Sequence, residues 1–311
     1  MAVRVSLAMP VYNGEKYIEE AIRSILVQDF ADFELIITDN ASTDRTEAIC
    51  RSFAASDSRI HYVRNARNLG AAPNYNLGFE LARGEFLKWC AHDDWISPNC
   101  IGECVRALDE NPGAVMAYPA TQCIDEFGHL IETVGAVMPD METLTPARRF
   151  FSVVSEPATM FEIFGLFRRD ALATTVLHGS YYGSDRALMA EAAILGRFVC
   201  APRATFYNRE HRLRSINIVD KKARAAWQNT DAKKAISMEH WNLLVNLFSI
   251  AGRHTDVASP LVARAYLIEF ALRPRQISRY LLEFFGMLAP GGPTQVRAFV
   301  QKFASLFFMG L

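Results

Sequence analysis

The feature that most constrains this chain is a repetition within residues 3–90. A short apolar run is followed by a stretch of helical period, and the pair recurs until a fourth run closes the series. Residues 3–9 are rich in branched side chains and closed by Pro10, which predicts a buried first strand. Ile18, Ala21, Ile22 and Ile25 then recur at i, i+3, i+4 and i+7 among Glu15, Lys16, Glu19, Glu20 and Arg23, the pattern of a helix with one apolar face. Residues 33–38 predict a second strand. It runs into Asp39-Asn40-Ala41-Ser42-Thr43-Asp44, a loop full of helix caps, ahead of a helix carrying Ile49, Cys50 and Phe53. Residues 60–64 predict a third strand, and Tyr75, Gly78, Phe79 and Ala82 a helix face with Pro73 in its first turn. Residues 85–90 predict the fourth strand. Units of this length imply a parallel, doubly wound sheet covered on both faces.

In such sheets ligands bind outside the carboxyl ends of the strands. Pro10-Val11-Tyr12-Asn13, Asp39-Asn40, residues 64–68 and Asp93-Asp94 all stand at such ends, so four polar clusters converge on one rim. Asp93 and Asp94 leave their strand together although adjacent carboxylates repel, which suits a divalent cation. The competing reading is a solvated loop in which one acid caps the next helix.

Beyond Asn111-Pro112-Gly113 the sequence predicts a fifth strand at residues 114–121. Hairpins and loops are expected to residue 156, marked by Gly128, Gly135, Pro139 and Pro146, and then a strand at 161–168. Gly179 to Gly183 reads as a loop into a helix from Ser184 to about Leu195, followed by strands at 197–201 and 205–208. From Asp220 the pattern is helical, with Trp241, Leu244, Val245 and Phe248 on one face, so the domains are expected to be 1–220 and 221–311.

Basic and acidic residues number 33 and 34, for a formal net charge of -1, so no global field calls for a nucleic-acid partner. The six cysteines lie mostly in apolar segments without metal-type pairing, which predicts reduced thiols in a cytoplasmic setting. Residues 1–4 run straight into a strand, and no uncharged apolar run reaches the roughly 18 residues of a membrane span, so neither a signal peptide nor a span is expected.

The succession of Val5 to Asn13, Asp39 to Asp44, Asn68-Leu69-Gly70, Gly84-Glu85-Phe86-Leu87 and Asp93-Asp94 resembles the family 2 inverting glycosyltransferases of GT-A fold, over roughly residues 3–215. That resemblance implies a Rossmann-like, mostly parallel sheet flanked by helices, with a C-terminal helical extension. It implies nucleotide-sugar contacts at Pro10, Tyr12, Asn13, Asp39, Asn68, Asp93 and Arg209. It also implies Mn²⁺ or Mg²⁺ on the donor diphosphate, held by Asp93, Asp94 and His211, the last on a segment from Tyr207 to Ser215 that closes over the diphosphate. The catalytic base it implies is Asp185 in Gly183-Ser184-Asp185. The donor would be a nucleotide sugar, a UDP-sugar first, and the acceptor a saccharide or a lipid-linked molecule of surface polysaccharide or glycolipid assembly. Three positions depart from the family pattern: Ala91 replaces the first acid of the metal motif, Ser184 an expected glutamate and Pro73 a frequent arginine. Gln276-Ile277-Ser278-Arg279-Tyr280 resembles a signature of processive synthases but lies far past its usual place, and is read as chance.

Asp185 at a helix start has a plainer reading as helix stabilisation. Asp39 has one as a cap, although Ser42, Thr43 and Asp44 already supply caps. A sugar-phosphate nucleotidyltransferase would need a Gly-rich basic loop after the first strand, and a Rossmann dehydrogenase a G-x-G-x-x-G; neither is present. A non-catalytic nucleotide-sugar sensor or scaffold would keep Asp39 and the acidic pair yet show no turnover, and Ala91 and Ser184 favour it. At the chain end, Val296, Phe299, Val300, Phe303 and Phe307 predict an amphipathic helix. It would pack on its own domain, make a homodimer, or lie in the inner face of the membrane with Arg273, Arg275 and Arg279 extending a basic face.

Overall fold

The computed structural model describes residues 3–135, 138, 141–156, 160–231 and 238–288. Strand β1 (Val5–Val11) is buried along its whole length because both its faces are covered. Val5, Leu7, Met9 and Val11 enter one apolar cluster with helix α1 (Ile18–Leu26), while Ala8 enters the other. Helix α1 buries Ile18, Ala21, Ile22 and Ile25, the four residues its period marks. Strand β2 (Phe33–Asp39) divides in the same way, with Phe33, Leu35 and Ile37 on the α1 side and Ile36 opposite. Helix α2 (Thr46–Ser56), strand β3 (Ile60–Arg64), helix α3 (Ala71–Leu81) and strand β4 (Phe86–Trp89) complete the repeat. The pairs β1–β2, β2–β3 and β1–β4 are all parallel. Helix α3 lies close on β1: a Cβ added at Gly78 would stand 2.8 Å from that of Ala8.

Pro10 was expected to end β1, yet the strand continues to Val11. Along a parallel strand, bonding alternates between neighbours, and the Ala8 carbonyl accepts from the Cys90 N–H on the β4 side at 2.8 Å. Pro10 therefore faces that same side beyond the end of β4, where no ladder bond needs its missing N–H.

The second half comprises β5 (Trp95–Ile96), α4 (Cys100–Glu110), β6 (Ala114–Ile124), β7 (Leu130–Gly135), α5 (Pro146–Ser155), β8 (Leu166–Arg168), α6 (Arg169–Ala173), α7 (Ser184–Leu195) and β9 (Arg197–Arg209). The sheet order is β3-β2-β1-β4-β8-β6-β9-β5, with β7 on β6. Helix α5 occupies a region expected to be hairpins and loops; it buries Phe150, Phe151, Val153 and Val154, and Pro146 starts it. The strand expected at 161–168 is a 3₁₀ turn, Phe161–Phe164, and the short β8, antiparallel to β4. The two strands expected after α7 are one, with a register shift where Pro119 pairs Ala201 and Ala120 pairs Thr205. The loop-out contains Pro202, which cannot donate to a ladder.

Helices α8 (Lys221–Gln228), α9 (Glu239–Ile250), α10 (Pro260–Ala271) and α11 (Pro274–Leu288) follow. The change to helix near residue 220 does not open a second core among the described residues. Leu247, Ile250, Ala263 and Leu267 belong to the same cluster as Phe150, Ala187 and Trp89. The buried face of α9 is Leu244, Leu247 and Ile250, whereas Trp241 and Val245 are about half exposed. Apolar side chains cover more than half of this helix, with Asn242, Asn246 and Ser249 on the remainder, so its period alone does not single out the docked face; contact with α7 and α10 does. No described helix is long and apolar enough to cross a membrane, and the amphipathic segment expected at 293–311 lies outside the described residues.

The two α9 faces separate by mutation. Leu247→Ala should cost about 2–5 kcal/mol for a cavity in a shared core, and Val245→Ala about 0.5 kcal/mol or less, measured by urea unfolding. Equal losses would refute this docking.

Candidate active site

The loops after β1 and β2 are zipped together by short polar side chains. The Ser42 hydroxyl accepts from the Asn13 N–H at 2.9 Å, and Asn13 Oδ1 accepts from the Thr43 N–H at 2.8 Å. Thr46 Oγ1 and Asp44 Oδ2 accept from Gly14 and Glu15 at 2.8 and 3.1 Å. Asn13 adopts φ 52°, a left-handed conformation asparagine tolerates. Pro10 is buried in β1, while Tyr12 beside it is 44% exposed.

Asp39 is fully buried at the end of β2. Its carboxylate accepts from the Ser42 N–H at 2.9 Å and the Tyr62 hydroxyl at 2.5 Å, with Arg64 Nε at 3.7 Å. Burial first, then the Asp39 hydrogen bond and charge, push the Tyr62 phenol far above its ordinary value. Tyr62 and Arg64 sit two apart on β3, so they share a face, the signal by which the sequence could have revealed them. Asn68 Oδ1 accepts from Asn40 Nδ2 and the Gly70 N–H at 2.9 and 2.8 Å. Asn40 in turn accepts from Asn65, which also bonds Asn74, whose amide donates to the Thr38 carbonyl at 2.7 Å. A connected amide network thus fixes the loop that carries Asn68.

The acidic pair is organised by β9. Asp94 is buried, and its Oδ1 accepts from the Arg209 N–H at 2.7 Å, with Asn208 Nδ2 at 3.4 Å from both oxygens. Asp93 is partly exposed and its Oδ2 lies 2.9 Å from His211 Nε2. The two carboxylates therefore face different ways. Burial would raise the Asp93 pKa, but the His92 charge and the His211 hydrogen bond and charge hold it down at about 2. Burial and the neighbouring Asp93 charge push Asp94 well above the usual carboxylate range, and the Arg209 N–H and Arg214 charge offset only part.

Arg209, expected to contact the donor, has its side chain engaged within the protein. Its guanidinium donates to the Asp93 and Glu126 carbonyls at 2.9 and 3.0 Å and pairs with Glu20. It lies between the rings of Tyr17 and Trp95, 4.6 and 4.7 Å from their centroids, with its side chain 2% exposed. Three of its N–H groups and two aromatic rings engage this cation within the protein. Tyr17, Glu20 and Trp95 carry no chemical motif, and only the fold brings them to one place.

Asp185 is in the first turn of α7, where Gly183 supplies a left-handed φ of 76° that favours glycine. Its Oδ1 accepts from the Arg186 N–H at 2.8 Å. Burial first, then the charges of Asp93, Asp94 and Asp185, raise the Tyr75 phenol far above its ordinary value.

Among the described residues, no three His, Cys, Asp or Glu side chains form a ready metal cage. Asp93 Oδ2 and His211 Nε2 offer one oxygen and one nitrogen side by side on the rim. That set suits Mg²⁺ or Mn²⁺ shared with substrate phosphates, because such ions are bound through one or two carboxylates plus phosphate oxygens rather than by all-protein cages.

The fold is that of GT-A glycosyltransferases. The structure of Staphylococcus aureus TarS 1–349 in complex with UDP-GlcNAc superposes with a TM-score of 0.64 at 16% identity, covering 97% of this chain and 90% of that one. The mannosyltransferase PcManGT from Pyrobaculum calidifontis, in complex with GDP-Man and Mn²⁺, gives 0.56 at 19% identity over 98% and 81%. The model of glycosyl transferase family 2 matches residues 6–175, more than half of the chain, and the chain belongs to that family. An uncharacterized glycosyltransferase of Rickettsia typhi is 34% identical over 126 residues, 40% of this chain and 38% of that protein. The GalNAc(5)-diNAcBac-PP-undecaprenol beta-1,3-glucosyltransferase of Campylobacter jejuni is 25% identical over 187 residues, 60% and 58% of the two. The chain spans about two fifths of the length of the Rickettsia protein.

The acidic pair gives a pH-dependent signature. An acid whose folded pKa lies above its unfolded value near about 3.9 contributes most below that value, and its contribution falls as pH rises toward the folded pKa. With metal chelated, stability should decline with rising pH over the range where Asp94 ionises, and Asp94→Asn should flatten that decline and raise Tm at neutral pH. A variant that melts lower, with its pH slope intact, would remove Asp94 as the strained group.

Proposed function

We propose that this chain transfers a sugar from a nucleotide diphosphate sugar, a UDP-sugar first, to an acceptor hydroxyl with inversion at the anomeric carbon. The observation that carries this reading is the Asp93–His211 pair, 2.9 Å apart beyond the end of β4, beside strands whose β1 and β2 loops are joined by the Asn13–Ser42 bond. The family match supports it, as do neighbours solved with UDP-GlcNAc and with GDP-Man and Mn²⁺.

In this mechanism the zipped loops receive the nucleotide, with Tyr12 against the base and Pro10, Asn13, Asp39 and Asn68 shaping its pocket. Asp93 and His211 would hold Mn²⁺ or Mg²⁺ against the diphosphate. When bound, the cation supplies Lewis-acid stabilisation of the leaving group. Asp185 accepts the acceptor's proton as its oxygen attacks the anomeric carbon, and a single displacement with one base inverts configuration. Asp94 positions the segment through its bond to the Arg209 N–H. We place the reaction in the cytoplasm, in agreement with the free cysteines of the described residues. The acceptor we assign is a saccharide or a lipid-linked molecule in surface polysaccharide or glycolipid assembly, reached with the help of the helices after residue 220.

Two measurements test this. Asp185→Asn should keep UDP affinity while turnover falls by about 10²–10⁴, with the inverted anomer as the wild-type product by NMR; a retained product or near-normal turnover would reject it as base. Calorimetry should find UDP and Mn²⁺ each strengthening the other's binding, and Asp93→Asn abolishing that coupling. Independent binding of the two would remove the metal from the donor site.

A further inference from the structure

Residues 228–231, the last of α8 and the three beyond it, hold two loops of the site at once. On one side Gln228 Nε2 donates to the Tyr181 carbonyl at 2.8 Å and Asn229 Nδ2 to the Ser180 hydroxyl at 3.2 Å. The Arg224 guanidinium, one turn earlier on α8, lies 5.2 Å from the centroid of the Tyr182 ring. These residues lead through Gly183 to Asp185. On the other side the Thr230 hydroxyl donates to the Asn68 carbonyl at 2.7 Å and its N–H to the Leu69 carbonyl at 3.3 Å. Both terminal nitrogens of Arg67 donate to the Asp231 carboxylate, at 2.8 and 2.7 Å.

The fit against the Asn68 loop is made by main chain. Gly70 adopts φ 90°, and a Cβ there would stand 2.5 Å from the Asn229 Cα and 2.6 Å from the Gln228 carbonyl oxygen, atoms that no rotamer change can move aside. Asn229 joins the two sets of contacts, because its Oδ1 accepts from the Asp231 N–H at 2.9 Å while its Nδ2 reaches Ser180. The Asn68 loop is in turn fixed to Asn40, whose Oδ1 accepts from the Leu69 N–H at 2.9 Å and whose Nδ2 donates to the Gly70 carbonyl at 3.0 Å. Asn40 follows Asp39 directly. Four residues therefore connect the loop beside Asp39 with the loop that carries Asp185.

We propose that residues 228–231 are a positioning strap that sets the placement of Asp185 against the donor pocket, with Gln228 and Thr230 as its two feet. The proposal rests on the transferase reading above. A base on one loop and a donor on another must meet at a fixed separation, and a misplacement of about 1 Å can cost ~10²-fold in rate. The feet act through the loops they hold.

The test uses the full chain with a near-isosteric cut at each foot, Thr230→Val and Gln228→Met, and with both together. In hydrogen exchange of the ligand-free protein, Thr230→Val should speed exchange at residues 180–183 and Gln228→Met at residues 69–70, because each cut frees the loop at the far foot. Turnover is read as UDP release from UDP-glucose, UDP-galactose, UDP-GlcNAc and UDP-GalNAc with Mn²⁺. Each single variant should lower kcat by about tenfold while UDP affinity by calorimetry stays unchanged, and Thr230→Ser, which keeps the hydroxyl, should match wild type. The double variant should be no slower than the slower single, since one cut already slackens the strap. Exchange altered only beside the substituted foot would overturn the strap. So would coupled exchange with wild-type kcat, or a double variant whose loss is the product of the two singles. UDP affinity falling together with kcat would make the segment part of the donor pocket and likewise overturn the proposal. A wild type that binds no UDP and releases none would refute the transferase reading and with it the positioning role, while the exchange comparison, which needs no ligand, would still decide whether the strap joins the two loops.

Discussion

The rim depends on the burial of one cation. Arg209 is enclosed between two aromatic rings, and its donors reach the Asp93 carbonyl, the Glu126 carbonyl and the Glu20 carboxylate. Burying a guanidinium costs several kcal/mol unless it is paired and hydrogen-bonded, and here the partners come from three separate segments. The charge consequently works as a rivet. It holds α1, the β4–β5 loop and the β6–β7 hairpin to the end of β9, and its own N–H turns Asp94 inward. Asp93 is left alone at the surface beside His211.

That division creates an electrostatic imbalance with chemical use. Two adjacent carboxylates, one buried with weak compensation and one outward, store repulsion that an arriving cation relieves. Among the described residues no group of three metal-type side chains forms, so the cation we propose would take further ligands from the oxygens of an anionic diphosphate. Affinity for metal and for diphosphate would then be coupled by construction.

The region after β9 links the two sides of this cleft. The Thr230 hydroxyl donates to the Asn68 carbonyl, Gln228 to the Tyr181 carbonyl, and Asn229 approaches Ser180 at 3.2 Å. The end of α8 thus bridges the Asn68 loop and the loop that delivers Asp185. Glu191, fully buried on α7, meets Arg253 and His254 at 2.8 and 2.9 Å, which locks the same helix to the turn after α9. The helical region is therefore a support for the site rather than an appendage.

The alternation of apolar runs and periodic stretches determined the parallel half of the sheet, because strands buried on both faces and amphipathic helices follow from local pattern alone. The same pattern put the polar clusters at strand ends, where the loops carrying Asn13 and Asp39 are joined through Ser42. Tertiary structure decided what pattern cannot carry. The docked face of α9 depended on its partners, since the apolar arc of the helix is wider than the face it buries. Helix α5 and the bulge at Pro202 depended on the strands they cover or join. The task of Arg209 depended on Tyr17, Glu20, Trp95 and Glu126, residues remote in sequence and without motif, because the cost of a buried charge is settled only where all its partners meet.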